Sequence, residues 1–99
     1  MKKIKTTVWD PAEYLTTEEE VNAYLEDIFS TGDAKLIIAA IGDVARARGM
    51  SKVAEDVECG RESLYKALSQ TGNPSFETVI KVLSALGYTL KPAHVYTVS

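Results

Sequence analysis

The chain has 99 residues, 45% of them hydrophobic and 25% charged, and a formal net charge of −3. That length and balance describe one globular domain able to bury a core without metals, and a single cysteine, Cys59, excludes an intrachain disulfide. No apolar run reaches the length of a membrane span, and no apolar signal region follows the early lysines, so a cytoplasmic protein is expected.

Charge divides the sequence unevenly. Residues 1–33 carry Lys2, Lys3 and Lys5 against Asp10, Glu13, Glu18, Glu19, Glu20, Glu26, Asp27 and Asp33, a net of −5. Residues 34–99 hold eight basic and six acidic residues, a net of +2. A weakly basic body suits DNA, and an acidic segment suits a basic protein partner, although a solvated acidic helix face accounts for the N-terminal charge equally well.

In chain order, Trp9 to Leu15 read as a short helical turn, with Asp10 as N-cap and Pro11 as first helical residue. Trp9 and Tyr14 need a surface to pack on, so this arm lies on the body or on a partner. Thr17 and Glu20 have the spacing of a capping box, and Val21, Leu25, Ile28 and Phe29 continue a helix to Ser30. Thr31-Gly32 ends it, and Asp33 caps a second helix with the stripe Ile37, Ile41, Val44 and Ala45, stopped near Arg48 by Gly49.

Ser51 is expected to cap a short third helix with Val53, Ala54 and Val57 inward, and a fourth from about Arg61 to Ser69 carries Leu64, Ala67 and Leu68. Cys59 reads as a small core filler and Gly60 as the reversal between the two. Ala54 supplies the small side chain that two steeply crossing helices need at their closest approach. This is the spacing of a helix-turn-helix, and its outward set, Arg61, Glu62, Tyr65, Lys66 and Ser69, is long and polar enough to reach base edges and phosphates. Any packed helical hairpin shows such stripes. The short first helix, small crossing residue, glycine turn and polar outer face together favour DNA reading. One departure stands out: the place four residues after the small alanine, where the turn glycine usually lies, holds Glu58. Either the turn is remodelled or Glu58 sits exposed at its edge.

Thr71-Gly72-Asn73-Pro74 is a strong break, and Ser75 caps a last helix with the stripe Phe76, Val79, Ile80, Leu83 and Leu86, ended by Gly87. Tyr88 to Lys91 read as a short strand that Pro92 confines to an edge, with Ala93 to Val98 as a possible continuation. The expected architecture is therefore all-α within one domain. Residues 1–33 form an acidic arm and helix packed on the body, 34–87 a bundle, and 88–99 a strand or tail. His94 is the one histidine, and no motif places a cysteine or serine beside it. With no phosphate loop and no metal-ligand spacing, neither an enzyme nor a cofactor is expected.

Four motifs, Trp9-Asp10-Pro11-Ala12-Glu13-Tyr14-Leu15, Ala45-Arg46-Ala47-Arg48-Gly49-Met50, Gly60 to Ser69 and Gly72-Asn73-Pro74-Ser75-Phe76, run in order along the chain. They resemble the lambda-repressor-like (Cro/C1-type) DNA-binding fold and, within it, the probable addiction module antidote proteins, small HigA-like antitoxins. Trp9, where phenylalanine is commoner, and the stretch Lys91–Ser99 depart from that pattern. The resemblance implies an antitoxin that binds a small basic toxin of the RelE/ParE type and represses its own operon by binding double-stranded operator DNA as a homodimer. By position, it makes Arg61, Glu62 and Lys66 base-edge readers, with Arg61 donating to guanine and Glu62 accepting from cytosine. Ser63 and Tyr65 stand at the groove wall, and Ser51, Lys52 and Asn73 contact phosphates. Arg46 and Arg48 are either phosphate clamps or a solvated helix end. Toxin contact is expected within residues 9–30, through Trp9, Tyr14, Glu18 and Glu19, with Tyr24 and Phe29 divided between partner and core. The dimer seam is expected on the last helix and the strand from Tyr88. The alternatives are a stand-alone or prophage-type repressor without a toxin, and a protein-interaction module on the same fold.

Overall fold

A computed structural model of the chain describes residues 11–69 and 71–95. They form a 3-10 turn, Pro11–Tyr14, and five α-helices: α1 (Glu18–Phe29), α2 (Ala34–Arg48), α3 (Met50–Asp56), α4 (Arg61–Ala67) and α5 (Phe76–Ala85). The expectations for Trp9, for the Asp10 cap and for residues 96–99 lie outside the described residues.

Helix starts follow local chemistry. The Thr17 hydroxyl accepts the Glu20 amide at 3.1 Å, and the Glu20 carboxylate accepts the Thr16 hydroxyl and the Thr16 and Thr17 amides, each at 3.0 Å. These bonds, the Thr16 hydroxyl first, hold the exposed Glu20 carboxyl below its ordinary value. The cap's support is therefore complete above the ordinary carboxylate value and is lost as pH falls through the lowered one. Asp33 Oδ1 takes the Lys35 and Leu36 amides at 3.0 and 3.3 Å to open α2, and Ser75 Oγ takes the Thr78 amide at 3.1 Å to open α5.

Ser51, in contrast, does not cap α3. The helix begins two residues earlier than such a cap requires, at Met50, directly after Gly49, and has no side-chain cap. The Gly49 amide closes α2 on the Ala45 carbonyl at 2.9 Å, while the Gly49 carbonyl accepts from Val53 at 3.2 Å to start α3. A residue that both ends one helix and starts the next needs a backbone most side chains refuse, and Gly49 adopts φ 110°. Ser51 is left exposed in the first turn.

The core is continuous, and α2 runs through it, touching α1, α3, α5 and the 3-10 turn. Ile41, Leu64, Val44 and Val82 are its largest fully buried side chains. Gly42 marks where α4 meets α2, since a Cβ there would lie 2.5 Å from the Leu68 carbonyl oxygen. Gly72 crowds the same end of α4: a Cβ there would lie 2.2 Å from the Ala67 carbonyl oxygen. The end of α4 is thus clasped by two glycines, and neither place admits a methyl group without backbone movement.

Two expectations fail on tertiary grounds. Phe76 and Ile80 were expected in the apolar stripe of α5, yet they are 72% and 37% exposed. The inward line is Val82, Leu83 and Leu86, with Val79 partly buried against the same core, so α5 packs through its later turns and leaves its first turn uncovered. Tyr88 to Val95 form no strand. A strand needs a ladder partner, and the other described segments are helices and their connections. Tyr88 is held instead by α1: its hydroxyl donates to Asn22 Oδ1, its ring packs on the core, and burial pushes its phenol above the ordinary value.

Candidate functional site

The segment α3–turn–α4 is built from the turn outward. Where a glycine was missing, Glu58 itself takes the left-handed conformation, φ 57°. The Glu58 amide reaches the Glu55 carbonyl at 3.1 Å and the Cys59 amide reaches Ala54 at 2.9 Å, the two bonds of a Schellman ending. Cys59 packs partly buried against the core. Gly60 is not the reversal residue: it is extended, φ −67° and ψ 140°, and stands as the N-cap of α4 without a side chain to close the first turn. A glutamate in that left-handed place costs about 1–2 kcal/mol, and glycine would lose about 0.5–1 kcal/mol more backbone freedom on folding. Glu58→Gly is thus expected to stabilise the protein by about 0.5–1 kcal/mol, read as a higher urea midpoint with an unchanged slope.

On α4 the buried Leu64 and Leu68 set the phase. At about 100° per residue, Lys66 points most directly away from them and Glu62 next, with Ser63 to one side and Tyr65 to the other; Arg61 shares the direction of Leu64 and Leu68 and clears the core as the first residue of the helix. All five are exposed. The Arg61 guanidinium lies 5.5 Å from the centroid of the Tyr65 ring, a cation–π contact one helical turn long. Exposed Ser51 and Lys52 occupy the first turn of α3, where Lys52 meets Asp56 at 3.7 Å, and exposed Asn73 sits in the loop after α4. Arg46, one of the two possible clamps, is committed elsewhere: it pairs with Asp43 at 2.7 Å. Arg48 is exposed.

A second surface lies on α1 and the turn before it. Tyr14 is 53% exposed while its neighbour Leu15 packs on the core. Glu18 and Glu19 are exposed in the first turn of α1, a helix that carries Glu18, Glu19, Glu20, Glu26 and Asp27 and no lysine or arginine. Tyr24 and Phe29 both pack against the core, and the Tyr24 hydroxyl donates to Asp43 Oδ2 at 2.5 Å. Asp43 therefore joins Tyr24 of α1 to Arg46 of its own helix. Nothing in the sequence points to that link beyond a lone acid in an apolar helix.

Together these features define a small protein, all-helical over the described residues, that presents a polar helix and an acidic helix from one core. The profile of the family described as "Probable addiction module antidote protein" matches residues 5–94, so the chain belongs to that family. It is thus the antidote of an addiction module, and an antidote implies a toxin partner. An uncharacterized protein of Haemophilus influenzae (strain ATCC 51907 / DSM 11121 / KW20 / Rd) is 55% identical over 78 residues, 79% of this chain and 80% of that one. No solved structure matches the chain. Among the described residues, no helix is long and apolar enough to cross a membrane.

Proposed function

We propose that this antidote acts in the cytoplasm as a homodimeric binding protein, not an enzyme, with two tasks. It neutralises a small basic toxin of the RelE/ParE type, and it represses its own operon through a lambda-repressor-like helix-turn-helix formed by α3 and α4. The observation that carries the DNA reading is the outward face of α4. Seven residues make a helix about 10 Å long, which enters a major groove about 12 Å wide. There Glu62 accepts from a cytosine amino group, Lys66 donates to base or phosphate, and Arg61 leaves Tyr65 to donate to guanine. Releasing an exposed cation–π contact costs about 0.5–1 kcal/mol, less than the about 1–3 kcal/mol that a bidentate guanine contact contributes to discrimination. Ser51, Lys52 and Asn73 meet phosphates and fix the register. A reporter fused to the DNA upstream of the operon tests this. Expression of the antidote lowers its output, and a Glu62→Ala, Lys66→Ala variant does not; output indifferent to the wild-type protein overturns the reading.

The toxin task falls to Tyr14, Glu18 and Glu19. The acids of α1 steer a basic partner, and a half-exposed aromatic supplies an anchor. All three side chains are on the surface, so replacing them spares the fold. The variant Tyr14→Ala, Glu18→Lys, Glu19→Lys is expected to bind toxin about ten- to thirtyfold more weakly while keeping its helical signal and its DNA affinity. The check is rescue of toxin-expressing cells, and undiminished rescue assigns these residues to solvent alone.

A further inference from the structure

The first turn of α5 presents the most exposed large hydrophobic side chain of any described helix. Phe76 is 72% exposed, and Ile80, one turn later, is 37% exposed. Beside them the structure has a shallow hollow of about 420 Å³ between the end of α3 and α5. Val57, Ile80 and Ala85 give it an apolar lining; Asp56 and Glu58 stand on the α3 side, and Lys81 and Ser84 on the α5 side. A projecting ring beside a hollow of mixed lining, with acids across from a lysine, offers both halves of a self-complementary surface. That is the requirement of a two-fold interface, in which one patch meets itself.

We propose that a second copy of the chain docks on this face across a two-fold axis. Phe76 of each copy enters the hollow of the other, and Lys81 of each faces the Asp56 and Glu58 of the other. The proposal rests on the homodimer reading above and names its seam. Of the seam expected on the last helix and from Tyr88 onward, it keeps the last helix, adds the α3–α4 turn, and leaves out Tyr88, which is already tied to Asn22. Within one chain Lys81 pairs with Glu77 at 3.4 Å and Asp56 with Lys52 at 3.7 Å. Both are exposed surface pairs, and such pairs hold their side chains weakly enough to be exchanged. The mixed charge of the face also suits a like copy better than a uniformly charged partner.

The test is light scattering of the full chain at tens of micromolar, coupled to size-exclusion chromatography. Wild type should run at twice the chain mass. Phe76→Glu and Ile80→Glu should run at one chain mass with unchanged helical circular dichroism, since both side chains are exposed and leave the core intact. Lys81→Glu should weaken self-association about tenfold or more, and adding Glu58→Lys should restore it. A dimeric wild type whose Phe76→Glu variant also stays dimeric overturns the seam and leaves the homodimer standing. A monomeric wild type overturns both. A Phe76→Glu variant that remains dimeric but no longer binds toxin assigns the face to the toxin.

Discussion

Leu64→Ala is expected to cost about 2–5 kcal/mol of folding stability, the range for removing a fully buried leucine from a core that cannot collapse around the gap. Leu64 has no exposure and is among the four largest fully buried side chains. The gap it leaves cannot close easily, because the end of α4 is clasped by Gly42 and Gly72, where backbone already lies against backbone. A domain of this size holds about 5–15 kcal/mol in all, so at the low end of that range the variant would keep little or none of it. Urea denaturation followed by circular dichroism should show the midpoint fall without a change of slope. DNA and toxin binding should fall together, by the unfolded fraction, and recover on cooling or at lower denaturant. A loss of DNA binding alone, with the midpoint unmoved, would mean that α4 is not anchored as the structure has it.

Arg61→Ala is expected to do the reverse. Its side chain is exposed and its contact is the face of Tyr65, so the urea midpoint should barely move. Affinity for the operator should fall by about 1–3 kcal/mol per half-site, or about 2–6 kcal/mol for a dimer on two half-sites, a loss of roughly thirtyfold or more. Base preference at one position of each half-site should relax. Lys52→Ala makes the contrast, because a phosphate contact carries no sequence information. It should weaken operator and unrelated DNA alike and lower the salt slope by about 1. Anisotropy titrations of both variants at two salt concentrations separate the roles, and identical behaviour of the two variants would show that Arg61 does not read a base.

The parts legible in the sequence were those decided by neighbours within four residues. Thr17 with Glu20, Asp33 and Ser75 cap the helices they were expected to cap, because an N-cap bond depends on side-chain type and spacing alone. The inward sets of α2 and α4 were legible for a similar reason, since Ile41, Val44 and Ala45 on the one and Leu64 and Leu68 on the other keep helical spacing. What failed depended on the third dimension. Phe76 fits the periodicity of α5, but periodicity does not say how far along the helix its neighbours extend. Tyr88 to Lys91 have strand-forming residues, but pairing needs a ladder that this fold lacks. The phenol of Tyr24 looked available to a partner until Asp43, nineteen residues away, was found to take it. Glu58 lay between the two cases. Its spacing from Ala54 marked a place where glycine usually stands, and the backbone adopts the glycine-like conformation there in spite of the side chain. Gly42 is a further legible position, since a glycine inside a helix often marks the close approach of another backbone. Of the candidate site, the exposure of Glu62, Ser63, Tyr65 and Lys66 followed from phase, whereas Arg61 is exposed because it opens the helix. Ser51 was placed on the right helix but in the wrong capping role.

The claim on which the rest depends is that α4 reads a DNA sequence. The most direct measurement is an anisotropy titration of the purified protein on the duplex upstream of its operon and on a scrambled duplex of the same length, at one fixed salt concentration. Sequence-specific readers bind their sites about 10³–10⁷ times more tightly than other DNA, so the upstream duplex should win by about a thousandfold or more. Equal affinity for the two duplexes would contradict the account and leave the protein an antidote that holds its toxin without controlling its own operon.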